Sequence, residues 1–469
     1  MSKKIVVVLA ALLCLFAMGC NRSSSNTATV VPTVKWYNFK PHNGNWEADI
    51  AKIADYTEEK IGVRFEIYEY SDVNLNTIIS TGEDWDISFM NMFLFNRYVG
   101  QGAYWNLTDA VEKVTPALKA TIPQAVWDGV KVKGGYYAVP TYKDSAATNY
   151  VIWDEAYVKK YNVDVSKTSW EDLDRIFRQI KAGEGSRFYP ISTGKAGQGA
   201  LVDRFRYDSF GLGIRALGVR INDPTARLVN LLEQPDIIEG YKYLHQWYVD
   251  GIINPDAPVL EAGPSVYMFG TGQGWPSAWA TGGNGVEKVV TYKLTESVYS
   301  TDSIQGSMNV INANSKYKEE SLKLLELANT DRKFRDMLGW GLEGTDFEYA
   351  TPTTIRRLND RWIAWQGYMQ AQFFNKSTEV GSYTWDEVRE LNEGAVKSPL
   401  LGFVSDTTSF VNELAQIQTI QEKYWNDLCN GSANTDVIIP QFIAEMKAAG
   451  LDKIFTEVQR QIDAFLAAR

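Results

Sequence analysis

The residues that most often carry chemistry are scarce in this chain, and they are poorly placed for it. Asp84 and Asp86 form a close carboxylate pair, and a pair of acids flanking the scissile bond is what a glycosidase needs. Residues two apart on a strand point the same way, however, so the two also read as a turn and a strand entry. The only histidines, His42 and His245, are too far apart in sequence to argue for a metal site. Gly194-Lys195-Ala196-Gly197-Gln198-Gly199 lacks the strand-then-helix setting of a dinucleotide loop and the G-x-x-x-x-G-K-[ST] order of a phosphate loop. It reads as a glycine-lined surface loop. Aromatic side chains, by contrast, are plentiful: 15 Trp, 25 Tyr and 20 Phe against 2 His and 3 Cys. Such a chain is poorly stocked for Cys/His or metal chemistry and well stocked for contact with flat, partly apolar ligands.

The bulk of the chain must fold to position these groups. It has 469 residues, 45% of them apolar, enough for a large core and for two or three domains at roughly 150 residues each. The formal charge of −10 argues against a nucleic-acid binder, which would carry a basic stripe. At the N-terminus, Lys3 and Lys4 precede an unbroken apolar run from Ile5 to Met18, shorter than the roughly 20 residues a membrane-spanning helix needs. The run ends in Ala17-Met18-Gly19-Cys20, which resembles a bacterial lipobox with Ala17 in place of the usual Leu. Residues 1–19 therefore read as a lipoprotein signal peptide, Cys20 as the lipidated residue and 20–32 as a flexible tether rich in Ser, Thr and Asn. A chain so anchored sits outside the cytoplasm, at the outer face of a bacterial cell membrane. Cys14 leaves with the signal, so Cys429 has no intrachain disulfide partner.

From residue 33 the pattern reads strand, helix, strand, helix, strand. Val34–Phe39 is β-prone, and Asn45 caps a helix whose apolar face holds Trp46, Ile50, Ile53 and Ala54, stopping at Gly62. Val63, Phe65 and Ile67 alternate with polar residues. A helical stretch near Leu75–Ile79 leads to the strand-like Asp86–Met90. This order predicts an α/β domain with a mostly parallel sheet. Ligands of such sheets bind beyond the carboxyl ends of the strands, which marks the Asn38–Lys40 and Asn91–Phe93 loops. Further along, Gly134-Gly135 reads as a hairpin turn, Ser169–Asp172 as a capping box and Pro440 as a helix start.

Several passages resemble the extracellular solute-binding proteins of ABC importers, of the oligosaccharide type that includes maltodextrin-binding relatives. They are Gly82-Glu83-Asp84-Trp85-Asp86-Ile87, Gly100–Asp109, Tyr137-Ala138-Val139-Pro140 and Asp250–Pro255. Gly339–Gly344 and Leu401–Thr407 resemble a lipoprotein subgroup with an extended helical C-terminus. The resemblance implies a two-lobe, periplasmic-binding-protein-like α/β fold (type II) with a ligand cleft between hinged lobes. It places crossings near 143–149, 275–284 and 341–350. Lobe one is then 33–143 plus 284–340, and lobe two is 149–275 plus 350–469.

A sugar offers an apolar C–H face and a rim of hydroxyls, which suit aromatic faces and paired polar groups. By the resemblance, Trp36, Asn38 and Lys40 fall on a ligand-contacting loop, and Asp144 at a position that often holds an acidic ligand residue. Trp275 and Trp340 fall near the crossings, and Asn91 and Phe93 complete the set. The alternative for each Trp is core packing, and for Asn91 and Asp144 plain solvation. The expected protein is a non-enzymatic, monomeric receptor with no cofactor or metal and no nucleic-acid partner. It would pass an oligosaccharide to the transmembrane subunits of an ABC permease. The competing readings are a receptor for peptides or organic anions, a secreted glycoside hydrolase, and a passive glycan-binding surface module.

Overall fold

In Thr33–Asn38 (β1) every second side chain is buried, those of Val34, Trp36 and Asn38. The following segments obey the same local rules: Trp46–Ile61 (α1), capped by the Asn45 side chain, Arg64–Glu69 (β2), Asp72–Thr81 (α2), Ile87–Met90 (β3) and Met92–Val99 (α3). The computed structural model describes residues 30–263, 268–279, 286, 288–363, 370–382 and 384–469. Cys20, the signal peptide and most of the tether lie outside these residues. Pro32–Arg469 forms one unit.

Two hydrophobic cores lie within that unit. The first gathers Trp36, Phe65, Ile87, Met308, Val310 and Phe334 around a five-stranded sheet ordered β2, β1, β3, Met308–Ile311, Val139–Pro140. β1 runs parallel to both β2 and β3, whereas Met308–Ile311 is antiparallel to its two neighbours. Four of the five strands thus run the same way, as expected of a mostly parallel sheet, and Met308–Ile311, returning from the other lobe, is the one reversed strand among them. The second core gathers Trp153, Phe177, Trp247, Phe269, Trp425 and Phe442. Its three-stranded sheet is antiparallel, with Asn149–Asp154 between Phe269–Gln273 and Val289–Lys293.

Two crossings join the cores side by side. Residues 141–148 leave the first sheet for the centre of the second, and residues 294–307 return. Ala147 and Val298 exchange backbone hydrogen bonds of 2.9 Å, and the Thr148 hydroxyl donates to Ser297 Oγ at 2.8 Å. The expected lobe boundaries differ from this arrangement in two places. Val289–Lys293 pairs in the second sheet, so the return begins after it and not at 284. The segment after 341 stays with the first core: Trp362 and Ala371 are buried in it, the Trp362 indole donates to the Leu338 carbonyl, and Arg361 pairs with Asp49 at 2.5 Å and Asp346 at 2.8 Å. The third crossing comes near 398–403, where Leu400 enters the second core and Leu401 the first.

The C-terminal helices Val411–Cys429, Thr435–Ala448 and Leu451–Ala467 cover the second core. The glycine-rich loop at 194–199 is a docking point for them rather than a free surface loop. Gln198 N–H donates to the Cys429 carbonyl at 2.8 Å. Gly197 sits at φ +64°, and a Cβ there would lie 2.0 Å from that carbonyl, so only glycine fits.

Candidate functional site

The candidate residues separate into three groups. Trp36 and Trp340 belong to the interior. Trp36 is fully buried and its indole Nε1–H donates to Asn309 Oδ1 at 3.0 Å. It faces the helix-covered side of the sheet, as strand alternation requires. Trp340 ends the helix Arg332–Trp340 and packs with Phe347 and Ile355. Its indole donates to the Ser377 carbonyl, and the Lys376 ammonium lies 3.9 Å from its ring centroid. Burial holds the Lys376 pKa well below its usual value.

The second group lies at the carboxyl ends of the strands in the first sheet. Asn91 caps α3, its Oδ1 accepting from Phe93 N–H and Leu94 N–H, while its Nδ2 donates to the Tyr70 hydroxyl and Asp72. Asn38 is buried, its Oδ1 accepting from Phe39 N–H and its Nδ2 without a partner among the described residues. Phe39, Tyr70 and Phe89 form a compact trio with centroids 4.8 to 5.5 Å apart. Phe93 is 61% exposed, and Lys40 stands 3.6 Å from Glu69 at the surface.

The third group surrounds the crossings and brings Asp144 and Trp275 together. Asp144 and Lys143 form a 2.7 Å ion pair, largely shielded from water. Gln273 Nε2 donates to Asp144 at 3.2 Å, and Gln273 Oε1 accepts from Arg204 at 3.4 Å. One carboxamide thus joins the first crossing to the second lobe. Two residues on, Trp275 packs edge-on against Phe373 (6.1 Å) and Trp385 (6.3 Å), which lie 4.9 Å apart. Tyr142 packs on Phe374 at 4.4 Å, and the Tyr142 carbonyl accepts from Phe373 N–H. The Trp279 indole lies over Gly272 and Gly274, where a Cβ would meet it at 2.7 and 3.1 Å. Asn392 supports the crossing from below, accepting from Ala146 N–H and donating to the Lys143 carbonyl.

Sequence reasoning missed Tyr142, Arg204, Gln273, Phe373, Phe374 and Trp385. The glycine spacing around Trp275 and Trp279 was the one available signal for this region, since it leaves room for indole rings against the backbone. Trp275, Phe373 and Trp385 are themselves buried in a small cluster of their own. The amide of Gln273, the Asp144 carboxylate and the Arg204 cation lie along the neighbouring crossing, a pairing of apolar and polar groups suited to a polyhydroxylated ligand.

The motifs for reactive chemistry resolve into structural roles. Asp86 is buried, accepting from Lys35 N–H and the Ser315 hydroxyl, whereas Asp84 is exposed beside Lys35 Nζ. His42 Nε2 lies 3.0 Å from Asp49, with Nδ1 accepting from Gly44 N–H. Among the described residues, no group of three metal-type side chains converges and no helix is long and apolar enough to cross a membrane. Two concavities of about 420 Å³ lie away from the crossings, one beside Arg178 and Asp250 and one beside Tyr37 and Tyr68. The second is lined by the stacked pair Tyr37 and Tyr68 with Glu69 and Asn74, at the outer edge of the first sheet.

Comparison with known proteins agrees with this architecture. The chain is 26% identical over 464 residues to a carbohydrate ABC transporter substrate-binding protein of Streptococcus pneumoniae, covering 93% of this chain and 91% of that one. The crystal structure of an N-glycan transport solute binding protein (NgtS) from Streptococcus pneumoniae superposes with a TM-score of 0.83 at 23% identity, covering 93% of this chain and 99% of that one. Its complex with Man1GlcNAc gives 0.75 at the same identity, covering 93% and 100%. An extracellular solute-binding protein from Bifidobacterium longum subsp. infantis gives 0.63 at 15% identity, covering 93% and 98%. Residues 399–467, which hold most of the C-terminal helices, match a domain of unknown function (DUF3502). Residues 43–333 match the model of the bacterial extracellular solute-binding proteins, and the chain belongs to that family.

Proposed function

We propose that this protein captures an oligosaccharide between its lobes by hinge closure and presents it to an ABC permease. The observation that carries the reading is the crossing site itself, where Trp275, Phe373, Trp385, Tyr142 and Phe374 stand beside Asp144 and Gln273. Aromatic rings beside a polar rim supply the apolar and polar partners that the two sides of a sugar ring require. Names of similar proteins, a carbohydrate substrate-binding protein and an N-glycan transport protein among them, support the choice of ligand. Family membership makes the protein a binder of solute rather than an enzyme.

A ligand touching both lobes favours the closed state by its difference in affinity for closed and open forms. The crossings are the segments able to hinge, and they carry the site, so closure and recognition are one event. Lipidation at Cys20 would hold the folded part beside the permease outside the cytoplasm. A thermal-shift screen across oligosaccharides tests the assignment. A saturating sugar at about 100 times its Kd should stabilise the fold by about 2.7 kcal/mol. No shift with any glycan, together with a shift from peptides or polyamines, would refute it. A Cys20→Ala chain released from the cell surface into the medium would support the anchor, and one retained there would refute it.

A further inference from the structure

We propose that Arg204 makes the crossing site selective for oligosaccharides that carry a carboxylate, an inference that rests on the sugar reading above. Among the described residues, Arg204 makes a single hydrogen bond, 3.4 Å long, to Gln273 Oε1. No carboxylate among the described residues lies within 4 Å of it, unlike Lys143 beside it in the network, which has Asp144 at 2.7 Å. A guanidinium carries five N–H donors in a planar fork. The remaining four have no partner among the described residues and are not sealed inside the protein. Burial lowers the Arg204 pKa, the effect of a cation partly dehydrated without a matching anion.

The surroundings hold this cation in place. Its guanidinium lies 5.0 Å from the Phe205 ring centroid, and Phe205 sits at φ +59°, a left-handed conformation rare for a bulky residue. Strain of this kind persists where the surrounding structure fixes it, and it clusters at ligand sites. The nearest acid is Asp203, whose carboxyl burial pushes up to about 6 and whose charge is shared with Arg206 and Arg215 as well as Arg204. Three guanidiniums around one carboxylate make a locally positive region on a chain of formal charge −10. Asp144, on the far side of Gln273, is already neutralised by Lys143. A ligand carboxylate meeting the free fork side-on would form two parallel N–H···O bonds, a pairing that neutral hydroxyls cannot match. The open fork of Arg204, braced against the Phe205 ring, suits one acidic group on a sugar.

The test begins with the full chain in detergent on an array of neutral, uronate-bearing and sialylated oligosaccharides. Calorimetric titration of the tightest acidic hit and of its carboxyl-reduced counterpart follows, for the unmutated protein, Arg204→Gln and Arg204→Lys. The unmutated protein should prefer the acidic glycan by about tenfold or more. The preference should shrink between low and high salt, a readout that needs no variant, and Arg204→Gln should bring the ratio toward one while Arg204→Lys keeps part of it. Exclusively neutral hits, a ratio near one in the unmutated protein, or a ratio that Arg204→Gln leaves unchanged would overturn the proposal while the sugar reading stands. Binding of peptides with no glycan of any class would overturn both.

Discussion

Replacing Trp36 with Phe distinguishes a core residue from a ligand contact. Trp36 is fully buried, edge-on to Phe65 at 6.1 Å, and its indole N–H is the donor to Asn309 Oδ1. Phe keeps the aromatic face but removes that donor and part of the ring. The orphaned carboxamide oxygen, held in place because Asn309 Nδ2 also donates to the Gln370 carbonyl at 3.3 Å, costs about 1–3 kcal/mol. The space left, roughly 40 Å³, adds about 1 kcal/mol at the usual cost per unit of cavity volume. A loss of about 3 kcal/mol corresponds to a fall in Tm of roughly 3 °C for a folded part of this size, taking about 2.1 cal/mol/K per residue. Thermal unfolding by circular dichroism measures the first quantity and titration with the sugar found in the screen measures the second. The expected outcome is a lower Tm with ligand affinity changed less than about threefold, whereas Trp275→Ala weakens affinity strongly. An unchanged Tm with a tenfold loss of affinity in Trp36→Phe would show that the indole faces ligand and that the burial argument is wrong.

Other perturbations probe the remaining joints of the molecule. Gly197→Ala should destabilise by about 3 kcal/mol or more in urea unfolding, because its Cβ meets the Cys429 carbonyl at 2.0 Å. Gly102→Ala, at φ +75° with nothing within 4 Å, should cost only about 1–2 kcal/mol, and equal costs would refute the docking role. Burial pushes the Cys429 thiol up to about 12. It should therefore resist a thiol reagent in the folded protein and react on unfolding, and labelling within minutes under native conditions would contradict its placement. Burial, reinforced by the neighbouring Asp208 carboxylate, pushes Asp302 up to about 7. A carboxyl harder to ionise folded than unfolded contributes stability that is full below about pH 4 and lost as pH rises through about 7. Tm should accordingly fall between about pH 4 and pH 7, and Asp302→Asn should flatten that fall; an undiminished slope in the variant would refute the assignment. Gln273→Ala should weaken ligand binding by about tenfold while leaving Tm nearly unchanged, since it removes the link between Asp144 and Arg204 without emptying a core; full affinity in the variant would remove Gln273 from the site.

What the sequence revealed and what it hid follow from the range of the interactions. The Asn45 cap, the alternation of Val63, Phe65 and Ile67, and the Ser169 cap all depend on residues within a few positions, and each is found where the pattern put it. The placement of Trp36 on a ligand loop did not use strand alternation, which puts its side chain on the same buried face as Val34 and Asn38. Pro440 lies inside the helix Thr435–Ala448 rather than at its start, because the Asn434 side chain caps the helix earlier. The hairpin turn falls on Lys133 and Gly134, both with positive φ, one residue before the Gly-Gly pair suggested. The third crossing was out of reach because it is fixed by contacts such as Arg361 with Asp49, 312 positions apart. Arg204 carried no local signal either, since an arginine in an irregular turn becomes notable only when the acids around it are seen to be elsewhere.

The interleaved connectivity explains why the proposed site lies at the crossings. Each lobe is closed by a core of its own, so neither needs the other to bury its apolar residues. The small cluster of Trp275, Phe373, Trp385 and Val388 belongs to neither core and lies at the crossings. Its rings come from segments separated by about a hundred positions, joined by the Phe373 to Tyr142 backbone bond and the donation from Ser277 to Glu387. A change in the angle between lobes must be absorbed by the crossings, because the cores are close-packed and resist deformation. Side chains mounted on the crossings therefore change their spacing with lobe angle more than any core residue does. A ligand that fits one spacing at the proposed site would select one angle, and binding would thereby become a conformational signal.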